Sequence, residues 1–260
     1  MPDERPFLTA RWRHLAMLNY EVDRALLAPL VPRGTELDDF DGALLASIVG
    51  FRFLDTRVLG VAIPGHSDFD EVNLRFYVRR RGPDGAWRRA VVFVKEIVPR
   101  AAVALVARWC YNEPYLALPM GHTLELDAAK PDAPGAAEYR WRLGGRWHRI
   151  RVEAAGAPCL PAPGSEAEFV TEHYWGYTAQ RDGGCKEYRV HHPRWRVWNA
   201  ARAALDADLA PLYGAAFASA LAGAPRSALL AEGSEVAVYR GTRLAVPDGG
   251  RGGAQAGATD

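Results

Sequence analysis

Four polar residues alternate with apolar residues in the segment EVNLRFYV, and their types could support acid–base chemistry. They are Glu71, Asn73, Arg75 and Tyr77, and their period of two predicts a β-strand with all four on one face. On a cavity wall, Glu71 would be a general acid or base, and Arg75 and Asn73 would bind substrate. On an outer face the same stripe is solvated, which is the commoner arrangement, and the sequence leaves both alternatives open.

A lysine interrupts the strongly apolar segment AVVFVKEIV that follows. Lys95 is in phase with Phe93 and Ile97. The neighbouring Glu96 points the other way, so one of the two charges is buried unless the strand bends there. A desolvated lysine can be a Schiff-base nucleophile, which makes Lys95 a candidate catalytic residue. A structural ion pair, for instance with Glu71, is the commoner role, and both alternatives stay open.

The surrounding pattern predicts the elements that position these residues. They are a strand over residues 7–20 with Arg11 in a polar band, a helix over 22–30 capped by Asp23, and a buried strand over 44–53 with a bulge at Gly50. The turn Gly-Pro-Asp-Gly at residues 82–85 then predicts a hairpin, which brings Lys95 beside the Glu71 strand.

Short strands joined by Pro and Gly turns fill most of the remaining chain. A segment over residues 205–221 is at best partly helical because Pro211 and Gly214 interrupt it. This pattern predicts one mostly-β domain over residues 1–246, followed by a disordered Gly-rich tail over 247–260.

Composition and motifs exclude several classes of function. The net charge is +1 with both signs interspersed, which predicts no nucleic-acid or membrane partner. His191 and His192 would point to opposite faces of a strand, and neither they nor His173 belong to a ligand spacing, so we expect no metal. Neither GxGxxG nor a P-loop motif occurs, and we expect no cofactor. The three cysteines and the polar N-terminal residues predict a cytoplasmic protein.

Five stretches together resemble a widespread bacterial family, the YqjF-like proteins, which are distant relatives of acetoacetate decarboxylase. They are RWxxL at residues 11–15, VDxxxLxxLVPxGxELDxFDG at 22–42, SDFxEVNxRxYV at 67–78, TEHYxxY at 171–177 and VHHPxW at 190–195. The resemblance implies an acetoacetate decarboxylase-like fold of the α+β, mostly-β class. It is a cone-shaped antiparallel β-barrel with a few peripheral helices around a small-molecule cavity.

The resemblance also implies roles for particular residues. Arg11 looks like the N-terminal arginine of the decarboxylases, and Glu71 looks like their internal glutamate. Their Schiff-base lysine belongs after a proline in a stretch that matches ARWCYNEPYL here. Arg108 is in place in that stretch, but Tyr115 stands where the lysine is expected. The usual decarboxylase mechanism therefore lacks its amine, and Lys95 could replace it only by entering the same cavity.

Two hypotheses of function follow. The first is an enzyme, lyase-like, that acts on a carbonyl- or carboxylate-bearing metabolite. Its cavity would be lined by Arg11, Glu71, Arg75, Lys95, Arg108 and Tyr115. The second is a non-catalytic protein that binds or sequesters a small hydrophobic compound. The sequence leaves open the ligand, whether the protein is catalytic at all, and whether it forms a homo-oligomer.

Overall fold

The computed structural model describes residues 5–99, 115–127, 129–130 and 132–244, and strands dominate these residues. The strands are β1 Leu8–Glu21, β2 Glu36–Leu37, β3 Leu45–Val58, β4 Val61–Ala62, β5 Phe69–Arg81, β6 Trp87–Val98, β7 Tyr115–Ala117, β8 Met120–Glu125, β9 Ala136–Leu143, β10 Arg146–Cys159, β11 Trp175–Ala179, β12 Cys185–His191, β13 Val197–Asp206, β14 Ser227–Val238 and β15 Thr242–Arg243. The helices are α1 Arg24–Leu27 with a following 3-10 turn Ala28–Leu30, α2 Glu166–Thr171, α3 Ala210–Tyr213 and α4 Ala215–Ala220. The mostly-β prediction is confirmed.

Seven strands close on themselves through backbone pairing and form what we call the strand ring. Its order is β14, β1, β3, β5, β6, β11 and β12, and β12 returns to β14 with Val190 opposite Val238. Most neighbours are antiparallel, as expected, but β11 runs parallel to β6, and so does β7. The ring gives each of its strands an inner and an outer face.

The sheet continues past the ring through β13, β10, β9 and β8, and this extension packs on the outer face of the ring. Tyr139 and Ile150 of the extension belong to the same apolar cluster as Ile48, Val72 and Leu74 of the ring. A second apolar cluster occupies the inside of the ring. Strand β5 is therefore buried on both faces from Phe69 to Val78, because the ring encloses one face and the extension covers the other.

Gly50 allows this close packing. A Cβ atom added at Gly50 would lie 2.7 Å from Cδ2 of Tyr139, which is too close for van der Waals contact. The bulge predicted at Gly50 lies instead on the partner strand: Arg13 is opposite Arg52 and Ala16 is opposite Gly50, so β1 has the extra residue. The bulged residue His14 has a φ of 56°.

The predicted helical segments form as short helices. The Asp23 side chain accepts a hydrogen bond from the Ala25 amide at 2.7 Å and caps α1. Gly214, with φ of 86°, separates α3 from α4. No helix within the described ranges is long and apolar enough to span a bilayer. The tail predicted from residue 247 lies outside the described residues.

The substitution Gly50→Ala tests the packing of the extension on the ring. Because the new methyl group meets the Tyr139 ring, we expect a loss of about 1–3 kcal/mol in the free energy of unfolding. Urea denaturation measures this loss. The matched control is Gly223→Ala, where nothing lies within 4 Å of the added Cβ; this change should be neutral or stabilising by less than about 1 kcal/mol. Equal effects of the two substitutions would contradict this packing.

Candidate functional site

The inside of the strand ring contains a cavity of about 190 Å³, which we call the central cavity. A water molecule occupies about 30 Å³ of the liquid, so this volume suits a small metabolite rather than a large cofactor. Much of the wall is aromatic, and the Phe, Tyr and Trp residues that line it are Phe7, Trp12, Phe51, Phe53, Phe69, Phe93, Tyr115, Trp175, Tyr188 and Trp195.

The aromatic wall is built from contacts between neighbouring strands. Phe53 of β3 stacks on Phe69 of β5 with ring centroids 4.6 Å apart, and Trp12 of β1 meets Phe51 edge to face at 5.6 Å. Trp195 donates a hydrogen bond from Nε1 to Oγ of Ser234 at 2.9 Å. These contacts hold the rings in defined orientations, so the apolar part of the cavity is preformed.

Polar groups converge on one part of the central cavity, and the stripe on β5 supplies three of them. Glu71 is 2% exposed, Asn73 is 1% exposed and Arg75 is 9% exposed, and all three line the cavity. The stripe is therefore a cavity wall and not a solvated outer face. A solvated face, which is the commoner arrangement for such a stripe, does not occur here because closure of the strand ring buries the inner face of β5.

The Glu71 carboxylate is oriented by hydrogen bonds. Nδ2 of Asn73 donates to Oε1 at 2.9 Å, and the Tyr115 hydroxyl donates to Oε2 at 3.4 Å. Tyr115, which the sequence placed in the cavity, lies there through the parallel pairing of β7 with β6. A carboxylate held in a known orientation at a cavity wall is a candidate for proton transfer.

Arg75 is not paired with a carboxylate of any described residue. Its Nη2 donates to the carbonyl of Val170 at 3.0 Å, and Cζ lies 5.9 Å from the centroid of the Tyr77 ring. Its Nε is buried and has no hydrogen-bond partner within the described part of the chain. Arginine is almost never buried without a counterion, since the desolvated charge is costly. The guanidinium therefore offers a place for an anionic group of a ligand.

A bulge in β6 determines which charged residue reaches the cavity. Leu74 is opposite Lys95, but Arg75 is opposite Phe93, so Val94 is an extra residue. Lys95 consequently shares the outer face with Leu74, and its Nζ donates to the carbonyl of Leu212 in α3. Whether Lys95 enters the cavity was left open by the sequence; Lys95 does not line the central cavity here, because the bulge places it on the opposite face from Arg75.

Glu96, rather than Lys95, is the charged residue of β6 that faces the central cavity. It is 1% exposed, lies opposite Asn73 of β5 and opposite Tyr115 of β7, and lines the central cavity. Glu96 was not among the site residues predicted from the sequence. The signal was the pair of adjacent charges in an apolar strand, since one of them must face the apolar side unless the strand bends there.

Arg11 does not line the central cavity. Its side chain is 43% exposed and forms an ion pair with Asp55 of β3. Trp12 takes the inward position because it is opposite the cavity residue Phe53, so Arg11 must point outward. The role inferred for Arg11 is therefore corrected. Arg108, the other arginine implied by the resemblance, lies outside the described residues.

His173 is a cavity residue that the sequence analysis considered only as a metal ligand. It follows α2, which begins at the cap Ser165, whose Oγ accepts from the Glu168 amide at 3.2 Å. The imidazole is buried, and neither of its nitrogens has a hydrogen-bond partner among the described residues. Burial, with smaller effects from Arg89 and Arg75, holds the pKa of His173 well below its usual value of 6.5. The ring is therefore neutral near pH 7.

The other two histidines of interest alternate as the sequence predicted. His191 is exposed, whereas His192 is buried, lines the central cavity and stacks on Trp195 with centroids 4.2 Å apart. Nδ1 of His192 lies 2.9 Å from the carbonyl oxygen of Pro193. Within the described ranges, no group of three or more His, Cys, Asp or Glu residues could hold a metal ion.

A buried hydrogen-bond chain supports the polar end of the cavity. Oγ of Ser47 lies 2.6 Å from the Tyr77 hydroxyl and donates to Oδ1 of Asn19 at 2.6 Å, so Tyr77 must be the donor to Ser47. Nδ2 of Asn19 donates in turn to Oγ of Ser227 at 2.9 Å. The chain joins β5, β3, β1 and β14 and fixes the Tyr77 ring beside His173, with centroids 4.7 Å apart.

Comparison with known proteins agrees with this fold. Over 207 residues the chain is 29% identical to "Uncharacterized protein YqjF" of Bacillus subtilis, covering 77% of this chain and 78% of that protein. The enduracididine biosynthesis enzyme MppR, solved in complex with pyruvate, superimposes with a TM-score of 0.64 at 15% identity, covering 94% of this chain and 91% of that one. Acetoacetate decarboxylase from Legionella pneumophila superimposes with a TM-score of 0.62 at 15% identity, covering 94% and 92%.

These structural neighbours confirm the acetoacetate decarboxylase-like fold that the sequence stretches implied. At 15% identity they show the fold alone. The family match is more specific, since residues 9–235 match the DUF2071 family, described as "Uncharacterized conserved protein". The match covers nearly all of the chain that the structure describes. The chain is therefore a member of the DUF2071 family, as its resemblance to the YqjF-like proteins implied.

Proposed function

We propose that this protein binds a small carboxylate-bearing metabolite in the central cavity and acts on it by acid–base chemistry. The observation that carries the proposal is Arg75, a buried guanidinium that faces the cavity without a carboxylate partner among the described residues. A carboxylate matches the flat fork of guanidinium donors and would neutralise the buried charge. The structural neighbour MppR was solved with pyruvate, which is such an acid, and this supports the proposal.

Glu71 is the group we assign to proton transfer. It lies four residues before Arg75 on the inner face of β5, and Asn73 between them on that face donates to its Oε1. A ligand that extends from Arg75 along the inner face of β5 would therefore meet a carboxylate held in a fixed orientation. The chemistry we propose is lyase-like, but it uses no Schiff base at Lys95, because that amine lies on the outer face.

The second candidate is a non-catalytic protein that binds or sequesters a small hydrophobic compound. The aromatic wall favours it, since apolar side chains such as Trp12 and Phe53 make up much of the cavity surface. A cavity in which Glu71 and Arg75 bonded each other would have supported this candidate further. Instead, Arg75 bonds Val170 and leaves Nε available, which favours recognition of an acid.

We propose a cytoplasmic location for this activity. Two of the three cysteines lie in the described residues, and both are free thiols: Cys159 is exposed and Cys185 is buried. Free thiols of this kind are typical of a reducing compartment.

Replacing Arg75 by Met should remove the binding of carboxylic acids. Charge-assisted hydrogen bonds contribute about 1.5–3 kcal/mol, so we expect the affinity to fall by about 10- to 100-fold. Isothermal titration calorimetry with pyruvate and phenylpyruvate measures the loss. The unliganded variant should be at least as stable as the original protein, since the substitution removes an uncompensated buried charge.

The matched control is Arg79→Met, on the same strand. Arg79 lies toward the surface, where its Nε donates to Glu36 at 2.7 Å and its guanidinium covers Trp87. This control should bind the acids as the original protein does. If Arg75→Met retained full affinity, or if Arg79→Met lost as much, Arg75 would not be the carboxylate site.

Borohydride reduction in the presence of a keto acid tests whether Lys95 forms a Schiff base with the ligand. Because its Nζ donates to Leu212 outside the cavity, we expect no more adduct on Lys95 than on Lys130 and Lys186, as measured by peptide mass mapping. Lys95→Ala should bind the acid with unchanged affinity. A selective adduct on Lys95 that disappears in Lys95→Ala would show that the amine reaches the ligand.

A further inference from the structure

We propose that His173 is a specificity-determining residue: it selects carboxylic acids that carry an oxygen on the carbon beside the carboxylate and an apolar body beyond it. This inference rests on the proposed function and deepens it by naming the class of ligand. The oxygen can be an oxo or a hydroxyl group, since both accept a hydrogen bond from an imidazole N–H.

His173 and Arg75 both lie near the Tyr77 ring and near the helix α2. The imidazole centroid is 4.7 Å from that of Tyr77, and the Arg75 guanidinium carbon is 5.9 Å from the same Tyr77 centroid. Arg75 also donates to the carbonyl of Val170, which lies in α2 just before His173. The guanidinium and the imidazole are therefore both held on the cavity wall near the Tyr77 ring and the end of α2.

Both groups have unused hydrogen-bonding capacity. Nε of Arg75 and both ring nitrogens of His173 are buried without a partner in the described part of the chain. A buried donor left unsatisfied costs about 1–3 kcal/mol. An acid whose carboxylate is bound by Arg75, and whose adjacent oxygen accepts from His173, would satisfy two of these nitrogens at once. A simple carboxylic acid would leave the imidazole unsatisfied.

The surroundings of His173 keep the ring neutral. It is packed against the rings of Tyr77 and Phe169, and the charged or titratable groups that act on it are Arg89, Arg75 and His192. Arg89 is itself bound to Asp38 at 2.7 Å. With cations and a desolvated site around it, the ring does not become an imidazolium that would attract a second carboxylate. It presents one N–H donor and one acceptor, which suits an oxo or hydroxyl oxygen.

The aromatic part of the cavity wall indicates the size and character of the ligand's apolar body. Phe53, Phe69 and Trp12 form a connected aromatic surface, with Phe53 stacked on Phe69 and in edge contact with Trp12 at 5.7 Å. An acid with an aromatic or branched side chain would bury apolar surface there, at about 25 cal/mol per Å². The preferred ligand is therefore larger and more apolar than pyruvate.

Calorimetry with three matched acids tests the inference: phenylpropionate, phenylpyruvate and phenyllactate. They share a carboxylate and a phenyl group and differ only at the carbon beside the carboxylate. We expect the better of the two oxygenated acids to bind about tenfold more tightly than phenylpropionate, which corresponds to about 1.4 kcal/mol. Which of the two binds better distinguishes an oxo from a hydroxy ligand.

Variants at His173 connect the preference to this side chain. His173→Phe keeps the ring contacts with Tyr77 and Phe169 but lacks nitrogen, and should bring the affinity ratio close to one. His173→Gln restores an N–H donor and should recover part of the ratio. His191→Phe, at the exposed neighbour of His192, is the control and should keep the original ratio. The ratio should also show no transition as the pH passes through about 6.5, the usual pKa of histidine, because burial lowers the pKa of His173.

Each contrary outcome overturns a different statement. If the original protein did not discriminate among the acids, or if His173→Phe kept the preference, His173 would not select the ligand, while the carboxylate site at Arg75 would stand. A preference that disappears as the pH falls through about 6.5 would contradict a neutral imidazole. If none of the three acids bound, the proposed function would fail and this inference with it.

Discussion

The pairing of β5 with β6 is the constraint on which the rest of the site depends. One extra residue, Val94, separates Phe93, which is opposite Arg75, from Lys95, which is opposite Leu74. Without that bulge, Lys95 would share the cavity with Arg75, and Glu96 would be buried against the outer apolar cluster. With it, the lysine reaches a carbonyl in α3 and the carboxylate faces inward. A single inserted residue thus determines the charge of the cavity and the chemistry open to it.

The site combines a rigid scaffold with polar groups that the scaffold leaves unsatisfied. The hydrogen-bond chain from Tyr77 through Ser47 and Asn19 joins four strands of the ring, and every member of it has a partner. Beside this chain, Arg75 and His173 retain nitrogens without partners in the described residues. Such groups lower the stability of the unliganded protein, and a ligand that satisfies them gains the corresponding free energy on binding. The contrast between the two sets of residues is the basis for the binding site that we propose.

The sequence was sufficient to predict the class of fold and the strand that carries the site. The alternation around Glu71 and Arg75 gave β5 and the residues that share its inner face. It could not predict that this face is enclosed, because closure depends on β12 meeting β14, a contact between distant parts of the chain. The alternation of apolar and polar residues predicts facing only in an unbroken strand, so it could not predict the bulge at Val94. Trp12 shows the same limitation, since register and not residue type places it inside and Arg11 outside.

His173 illustrates a different limit. It lies in an irregular stretch after the short helix α2, where no periodicity indicates which way a side chain points. Its importance comes from what surrounds it, namely the Tyr77 and Phe169 rings and the charges of Arg75 and Arg89. These residues are far apart in the sequence and meet only in the folded chain. The resemblance to the YqjF-like proteins included His173 in the stretch TEHYxxY but implied no role for it, and the roles implied by the decarboxylases concerned Arg11, Glu71, Arg108 and an absent lysine.

The central claim is that a ligand carboxylate binds Arg75 inside the strand ring. A crystal structure of the protein with phenylpyruvate tests it most directly. The account predicts the carboxylate within hydrogen-bond distance of Nε of Arg75, the oxo group toward His173 and the phenyl ring against Phe53. A carboxylate bound elsewhere, or a covalent bond between the ligand and Lys95, would contradict it.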